Sequence, residues 1–453
     1  MRRTSFTFLV LFLACGDDSP EPSDAAVTPD ATPDAVPDGM VPDPSVEDCI
    51  PIGAANELAP SDPNYAGMLR FYCDTWGGET RGGFPPVEFL LQLMVDEPQE
   101  FGNQFASFGF LPDPNDDLPI GLKRGIEDST QVAQTCALCH VAELPDGRLW
   151  LGQPNGALDF GRFEVEVNAR WVAAGNPPLR TANQLEKAAA LGPGRTGAET
   201  ADYPNVVPAD FPAYYGLSDR TALNYLGTGT NIRVEVYLSV FSAIGRDEMK
   251  FPSPTRIDPF VAFMGGMQAP AGPAQDPAEV AMGEMVFQRE RCGECHHVGS
   301  PGDDPIVTYD TADDPQERFP GDDPEFPAGS ILTSRLHRIL VDGDDSGMGS
   351  PNPDDRVALV NFIISQGLRV EISDGYRAAD LRGIWATPPY LHNGSVPTLE
   401  DLLRPPAERP TSFERHGFTV DTTTPGNENR GHEFGTAISE DERAALAAYL
   451  RTL

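Results

Sequence analysis

Two short segments hold the residues best suited to chemistry: Cys136-Ala137-Leu138-Cys139-His140 and Cys292-Gly293-Glu294-Cys295-His296. Each sets two thiols three residues apart, within one helical turn, and puts an imidazole directly after the second thiol. Both thiols can then add to the two vinyl groups of one porphyrin while His140 or His296 ligates its iron, which is the attachment signature of c-type haem. A thioredoxin-like redox pair or one split Cys₄ zinc site uses similar thiol spacing, but neither needs a His after both pairs. Two covalently bound haem c groups are therefore expected.

The chain has seven cysteines, and the two motifs use four. Cys15 follows Arg2-Arg3 and an apolar run from Phe6 to Ala14, which reads as a short secretory signal. The run Leu11-Phe12-Leu13-Ala14-Cys15 resembles a bacterial lipobox, with Phe12 where an aliphatic residue is usual, so Cys15 is the expected lipidation site. Plain signal-peptidase cleavage near Ala14 is the alternative. The run is far shorter than the about 20 residues that span a bilayer, so membrane attachment is expected through a lipid only. Cys49 and Cys73 remain. In an exported protein a disulfide is the simplest use of them, with two free buried thiols as the alternative. The chain is expected outside the cytoplasm, as a periplasmic or cell-surface lipoprotein.

Composition sets the frame around these sites. A formal net charge of −37 excludes nucleic acid as a partner, because phosphate would be repelled. Residues 16–48 are rich in Pro, Asp and Ala with almost no large apolar side chains, so they are expected to form a disordered acidic tether. Beyond it, residues 49–270 are expected to form an N-terminal haem c domain and residues 271–453 a C-terminal cytochrome c domain. The 44 Gly and 45 Pro break the helical patterning into short helices and long loops, so the predicted fold class is mainly α, with no large sheet.

Helical spacing is clear at Val87–Met94 and Asn183–Leu191. Asp276-Pro277-Ala278-Glu279 predicts a capped helix leading toward Cys292, and Ser439-Glu440-Asp441-Glu442 predicts a capping box for a C-terminal helix. Asp342-x-Asp344-x-Ser346-Gly347 opens like an EF-hand loop, but Pro353 stands at the twelfth position, so a solvated acidic loop is the better reading.

Seven His residues narrow the choice of sixth iron ligands. No Met occurs after Met348, so a Met cannot close the second haem from just before the C-terminal helix. His432, in Gly431-His432-Glu433-Phe434-Gly435, is the favoured partner of His296, with His337, His392 and His416 as other imidazoles downstream and a surface-loop role for His432 as the alternative. No His lies between His140 and His296, so no local imidazole closes the first haem; Met249, Met264 and Met267 are conceivable ligands and equally core residues. One haem closed for electron transfer and one open to small molecules is the resulting expectation.

The stretch Leu381-Arg382-Gly383-Ile384-Trp385-Ala386-Thr387-Pro388-Pro389-Tyr390-Leu391-His392-Asn393-Gly394-Ser395 resembles a segment shared by bacterial dihaem cytochrome c peroxidases, MauG-type enzymes and haem-containing rubber oxygenases. With both motifs and the terminal helix, the resemblance covers roughly residues 106–453, and Asn429–Gly435 looks closest to the rubber oxygenase branch. The resemblance implies an oxidoreductase that activates peroxide or oxygen at the open haem. It also implies a calcium ion held by main-chain oxygens at Thr387 and Pro389, and places His392 beside a haem rather than on its iron. Asn224-Tyr225-Leu226-Gly227 loosely matches a Trp-Asp-Gly sequence of the peroxidases, making Tyr225 a candidate inter-haem relay. Phe241 would line the open haem face. An ordinary buried Tyr and a core Phe are the plainer alternatives. The peroxidases' removable distal His and assisting acid have no clear counterparts; Glu235 and Glu248 are candidates for the acid without a motif to support them. A non-catalytic electron carrier with both irons six-coordinate is the competing function. A redox protein or an organic molecule would be the further partner.

Overall fold

The computed structural model describes residues 40–41, 45–46, 48–75, 84–125, 128–196, 208–221, 223, 225, 231–233, 236, 251–296, 306–308, 375–424 and 426–453, all within the compact unit Asp38–Leu453. Cys15, most of the tether (residues 16–39, 42–44 and 47), the EF-hand-like loop, Glu235, Phe241, Glu248, Met249 and His337 lie outside the described residues.

Short helices joined by long loops dominate, together with small two-stranded sheets, so the architecture is mixed rather than purely helical. The helices needed below are α1 (Tyr65–Cys73), α2 (Val87–Asp96), α3 (Ala137–His140), α4 (Phe160–Ala173), α5 (Ala182–Leu191), α6 (Pro254–Gly266), α7 (Pro277–Arg289), α8 (Leu399–Leu402) and α9 (Glu440–Leu450). The antiparallel pairs are β1 (Leu122–Arg124) with β2 (Val132–Gln134), β3 (Val141–Glu143) with β4 (Leu149–Leu151), β5 (Arg195–Thr196) with β6 (Ala209–Asp210), β7 (Ile306–Thr308) with β8 (Gly375–Arg377), and β9 (Ser412–Arg415) with β10 (Phe418–Asp421). Among the described residues no helix is long and apolar enough to cross a membrane.

Three apolar clusters hold these pieces. The first joins α1 to α6 through Phe71, Phe260 and Phe263, and takes in Ala137 from the first Cys-x-x-Cys-His segment with Val141 and Leu151 from the strands that follow it. Asp74, just past α1, reinforces it by pairing with Arg256 of α6 in full burial, its Oδ2 accepting from Nε at 2.9 Å. The second cluster is built on Phe101, Phe105, Phe108, Phe110 and Phe163 and includes Leu138, with Cys139 packed against it. Helix α3 is thus gripped from two sides. The third cluster packs α7, α8 and α9 with Leu381, Tyr390 and Val396, and Cys292 lies against it.

Both predicted caps are present. The Asp276 carboxylate accepts from the backbone N–H groups of Ala278 and Glu279, and Ser439 with Glu442 closes a capping box at the start of α9. Gly283 lets α7 and α9 touch: a Cβ there would stand 2.0 Å from the carbonyl oxygen of Ala445. Ahead of α1, Cys49 and Cys73 form a disulfide with Cα atoms 6.1 Å apart.

Candidate haem-binding site

The first motif follows β2 without a leading helix. Cys136 caps α3, and the chain passes directly from His140 into β3. Gly121, with φ of +89°, lies so close to α3 that a Cβ would meet the Leu138 backbone at 2.2 Å. The motif's carbonyls are tied down from the far side, where Asn155 N–H donates to the Cys139 carbonyl and Gly152 N–H to that of His140. The His140 ring is buried, its Nδ1 is 3.1 Å from the Pro212 carbonyl, and the Tyr214 ring stacks on it at 3.7 Å. A carbonyl can only accept, so Nδ1 carries the hydrogen and Nε2 keeps the lone pair a metal needs. Burial pushes the His140 pKa down to about 3, which keeps the ring neutral, and pushes the Cys139 thiol up to about 12.

The second motif is built differently. Helix α7 ends at Arg289, the backbone turns at Arg291 with φ of +63°, and Cys292–Glu294 forms one 3₁₀ turn. His296 N–H donates to the Cys292 carbonyl at 2.9 Å, and its Nδ1 sits 2.8 Å from the Ala379 carbonyl. The tautomer logic of His140 applies again. Across from it stands His432, with ring centroids 6.1 Å apart. Two imidazoles sharing one metal, each bonded at about 2.0–2.1 Å, place their centroids about 6 Å apart. The spacing therefore fits an iron between the rings. Burial, then the neighbouring His296, pushes the His432 pKa down to about 4.

Among the described residues two further imidazoles, His392 and His416, have other surroundings. The His392 ring stacks on Tyr376 at 4.6 Å, with Nε2 3.3 Å from the Tyr376 hydroxyl, and meets the Tyr225 ring edge-on at 6.3 Å. His416 is in the turn between β9 and β10. Met264 and Met267 are core residues of the cluster that holds Ala137. Among the described residues, the four motif cysteines are the ones outside the disulfide. Thr387 and Pro389 flank Pro388, and the Thr387 hydroxyl donates to the Ile384 carbonyl. No set of three His, Cys, Asp or Glu side chains clusters among the described residues, so a cation there would rest on main-chain oxygens.

Tyr225 lies on a continuous path between the two motif histidines. From His140 the path runs through the Pro212 carbonyl and back along the chain to Asp210, whose carbonyl accepts from the Tyr225 hydroxyl at 3.1 Å. The Tyr225 carbonyl accepts from Arg377 N–H at 2.8 Å, and two residues on, the Ala379 carbonyl meets His296. Next to this path, Arg195 and Arg415 are almost fully buried, and Nε and Nη2 of Arg195 and Nε of Arg415 find no partner in the protein. Arg415 Nη1 forms an ion pair with Asp210 Oδ1 at 2.8 Å. Buried unmet N–H groups of this kind suit the carboxylates of a cofactor such as haem. The roles of Pro212, Tyr214 and Arg195 had no sequence signal, since none belongs to a motif.

Residues 375–414 match the family of RoxA-like, cytochrome c-like domains. This part of the chain is cytochrome c-like. The chain is 41% identical over 130 residues to the uncharacterized protein y4iJ of Sinorhizobium fredii, covering 23% of this chain and 22% of that one. It is 27% identical over 245 residues to the uncharacterized protein y4iM of the same organism, covering 51% and 53%. It thus spans about a fifth and about half of the length of these relatives. Among solved structures it is similar to hydrazine synthase of Kuenenia stuttgartiensis (17% identity, TM-score 0.26, 55% of this chain and 73% of the other). It is also similar to a MauG-like protein associated with microbial copper homeostasis (22% identity, TM-score 0.24, 48% and 57%). At these scores neither likeness bears on the fold.

Proposed function

We propose that the chain carries two covalently attached haems and works as an exported redox enzyme, with one iron closed by His296 and His432 and the other, on His140, open to peroxide or oxygen. The observation that carries this reading is the 6.1 Å spacing of the His296 and His432 rings, set against a His140 whose packed rings are those of Tyr214 and Phe211. When bound, each haem supplies a redox-active iron. The protein's part is to fix both proximal imidazoles, through Nδ1–H bonds to carbonyls, in the tautomer that leaves Nε2 to ligate, to bring His432 to the second site, and to connect the two sites through Tyr225. Bis-imidazole ligation favours a lower potential than a His/Met pair, which suits the second site to electron transfer. A calcium ion at Thr387 and Pro389 and a lipid on Cys15 complete the proposal, and the −37 charge favours a basic redox partner.

Electron paramagnetic resonance of the oxidised, haem-loaded protein tests it. One low-spin and one high-spin iron are expected, and cyanide or peroxide should change the high-spin signal alone. Two low-spin irons that ignore both reagents would turn the reading into that of an electron carrier. His432→Gly is expected to convert the second centre to high spin; a low-spin signal that persists would mean another ligand.

A further inference from the structure

We propose that Arg409 is the positioning residue that presents His432 to the second iron, a role that rests on the bis-histidine reading above. Arg409 stands in the loop after α8, in Arg404-Pro405-Pro406-Ala407-Glu408-Arg409, far in sequence from both Cys-x-x-Cys-His segments. Its side chain is 4% exposed and its hydrogen bonds all go to main-chain carbonyls. Nε donates to Arg404 at 3.2 Å. Nη1 donates to Asn429 and, at 2.6 Å, to Gly431. Nη2 donates to Leu402 at 3.1 Å and to His432 at 2.8 Å. A guanidinium has five N–H groups in one plane, and here five carbonyls receive them.

Three of those carbonyls belong to the 429–432 segment, and the last is that of His432 itself. This matters because His432 has φ of +61°, a left-handed conformation that L side chains rarely adopt unless their surroundings hold them there. The His432 side chain does little to hold itself: its buried Nδ1 has no hydrogen-bond partner, in contrast to the Nδ1 atoms of His140 and His296. The orientation that brings its ring to 6.1 Å from His296 is therefore set through the backbone, and Arg409 is the group that grips that backbone. The other two carbonyls, of Leu402 and Arg404, fix Arg409 to the end of α8 and so to the cluster that also carries Cys292. The clamp ties the two ligands of one iron to a common frame.

Arg409→Gln, Arg409→Lys and His432→Gly in the full haem-loaded chain test this. Mass spectrometry should find two haems in each, since the thioether bonds do not involve Arg409. In Arg409→Gln most of the second low-spin signal should become high spin, and added imidazole should restore it. Lysine keeps the charge but lacks the planar fork, so in Arg409→Lys the second haem should take up cyanide about 10-fold faster than the wild type. A low-spin spectrum in Arg409→Gln identical to wild type would overturn the role. So would a wild-type cyanide rate in Arg409→Lys, which remains decisive if the glutamine variant does not fold. If His432→Gly itself keeps a low-spin second centre, the bis-histidine reading fails first; if it turns high spin while the Arg409 variants do not, only the positioning role fails.

Discussion

Single residues in this protein are tuned by what their second polar atom touches. His140 and His296 each spend Nδ1–H on a carbonyl, which fixes the tautomer and leaves Nε2 as the ligating atom. On the function proposed above Tyr225 links the two, because its hydroxyl and its carbonyl belong to opposite halves of the path. Tyr225→Phe removes only the first of those contacts. It is expected to slow electron equilibration between the irons several-fold while leaving the absorption and spin-resonance spectra of both unchanged. Flash reduction followed by time-resolved absorbance would measure this, and a rate equal to wild type would leave Tyr225 as packing alone.

Among the elements, the crossing of α7 and α9 governs the second site, since α7 delivers Cys292 and α9 closes the cluster behind it. The crossing is held by Phe287 against Tyr449 at 5.3 Å between ring centroids, by an Arg289–Glu442 ion pair, and by the close approach at Gly283. The ion pair is on the surface and contributes little; the close approach does more. Gly283→Ala would push a methyl into the Ala445 carbonyl and should destabilise by about 1–3 kcal/mol, despite the better helix propensity of Ala. Thermal unfolding followed by circular dichroism would register it as a lower midpoint, with the second haem affected before the first.

On the scale of the whole molecule, many long loops must be held by few regular elements, and covalent links make up the difference. The Cys49–Cys73 bridge, 24 residues apart in sequence, fastens the segment ahead of α1 to the end of that helix. A loop of this length is worth about 3 kcal/mol through the entropy it removes from the unfolded chain. A thiol reductant should therefore lower the unfolding midpoint without releasing haem, because thioethers resist it. Calorimetry with and without reductant, read beside the haem mass, checks both halves; an unchanged midpoint would mean the bridge is not formed or not stabilising.

The two Cys-x-x-Cys-His segments, the helix caps at Asp276 and Ser439 and the pairing of Cys49 with Cys73 were legible in the chain, because each is a local pattern or a count. The absence of a Met after Met348 left four downstream imidazoles, of which His432 was favoured for its place just before the C-terminal helix. What the sequence could not express was contact between distant segments. The 3₁₀ turn at Cys292, the Tyr214 ring on His140, and the five carbonyls around Arg409 depend on chain segments that meet only after folding. An arginine in a proline-rich loop looks the same in sequence whether it faces water or clasps a neighbouring stretch of backbone. Only the tertiary structure, by removing it from solvent and surrounding it with carbonyl oxygens, decided which.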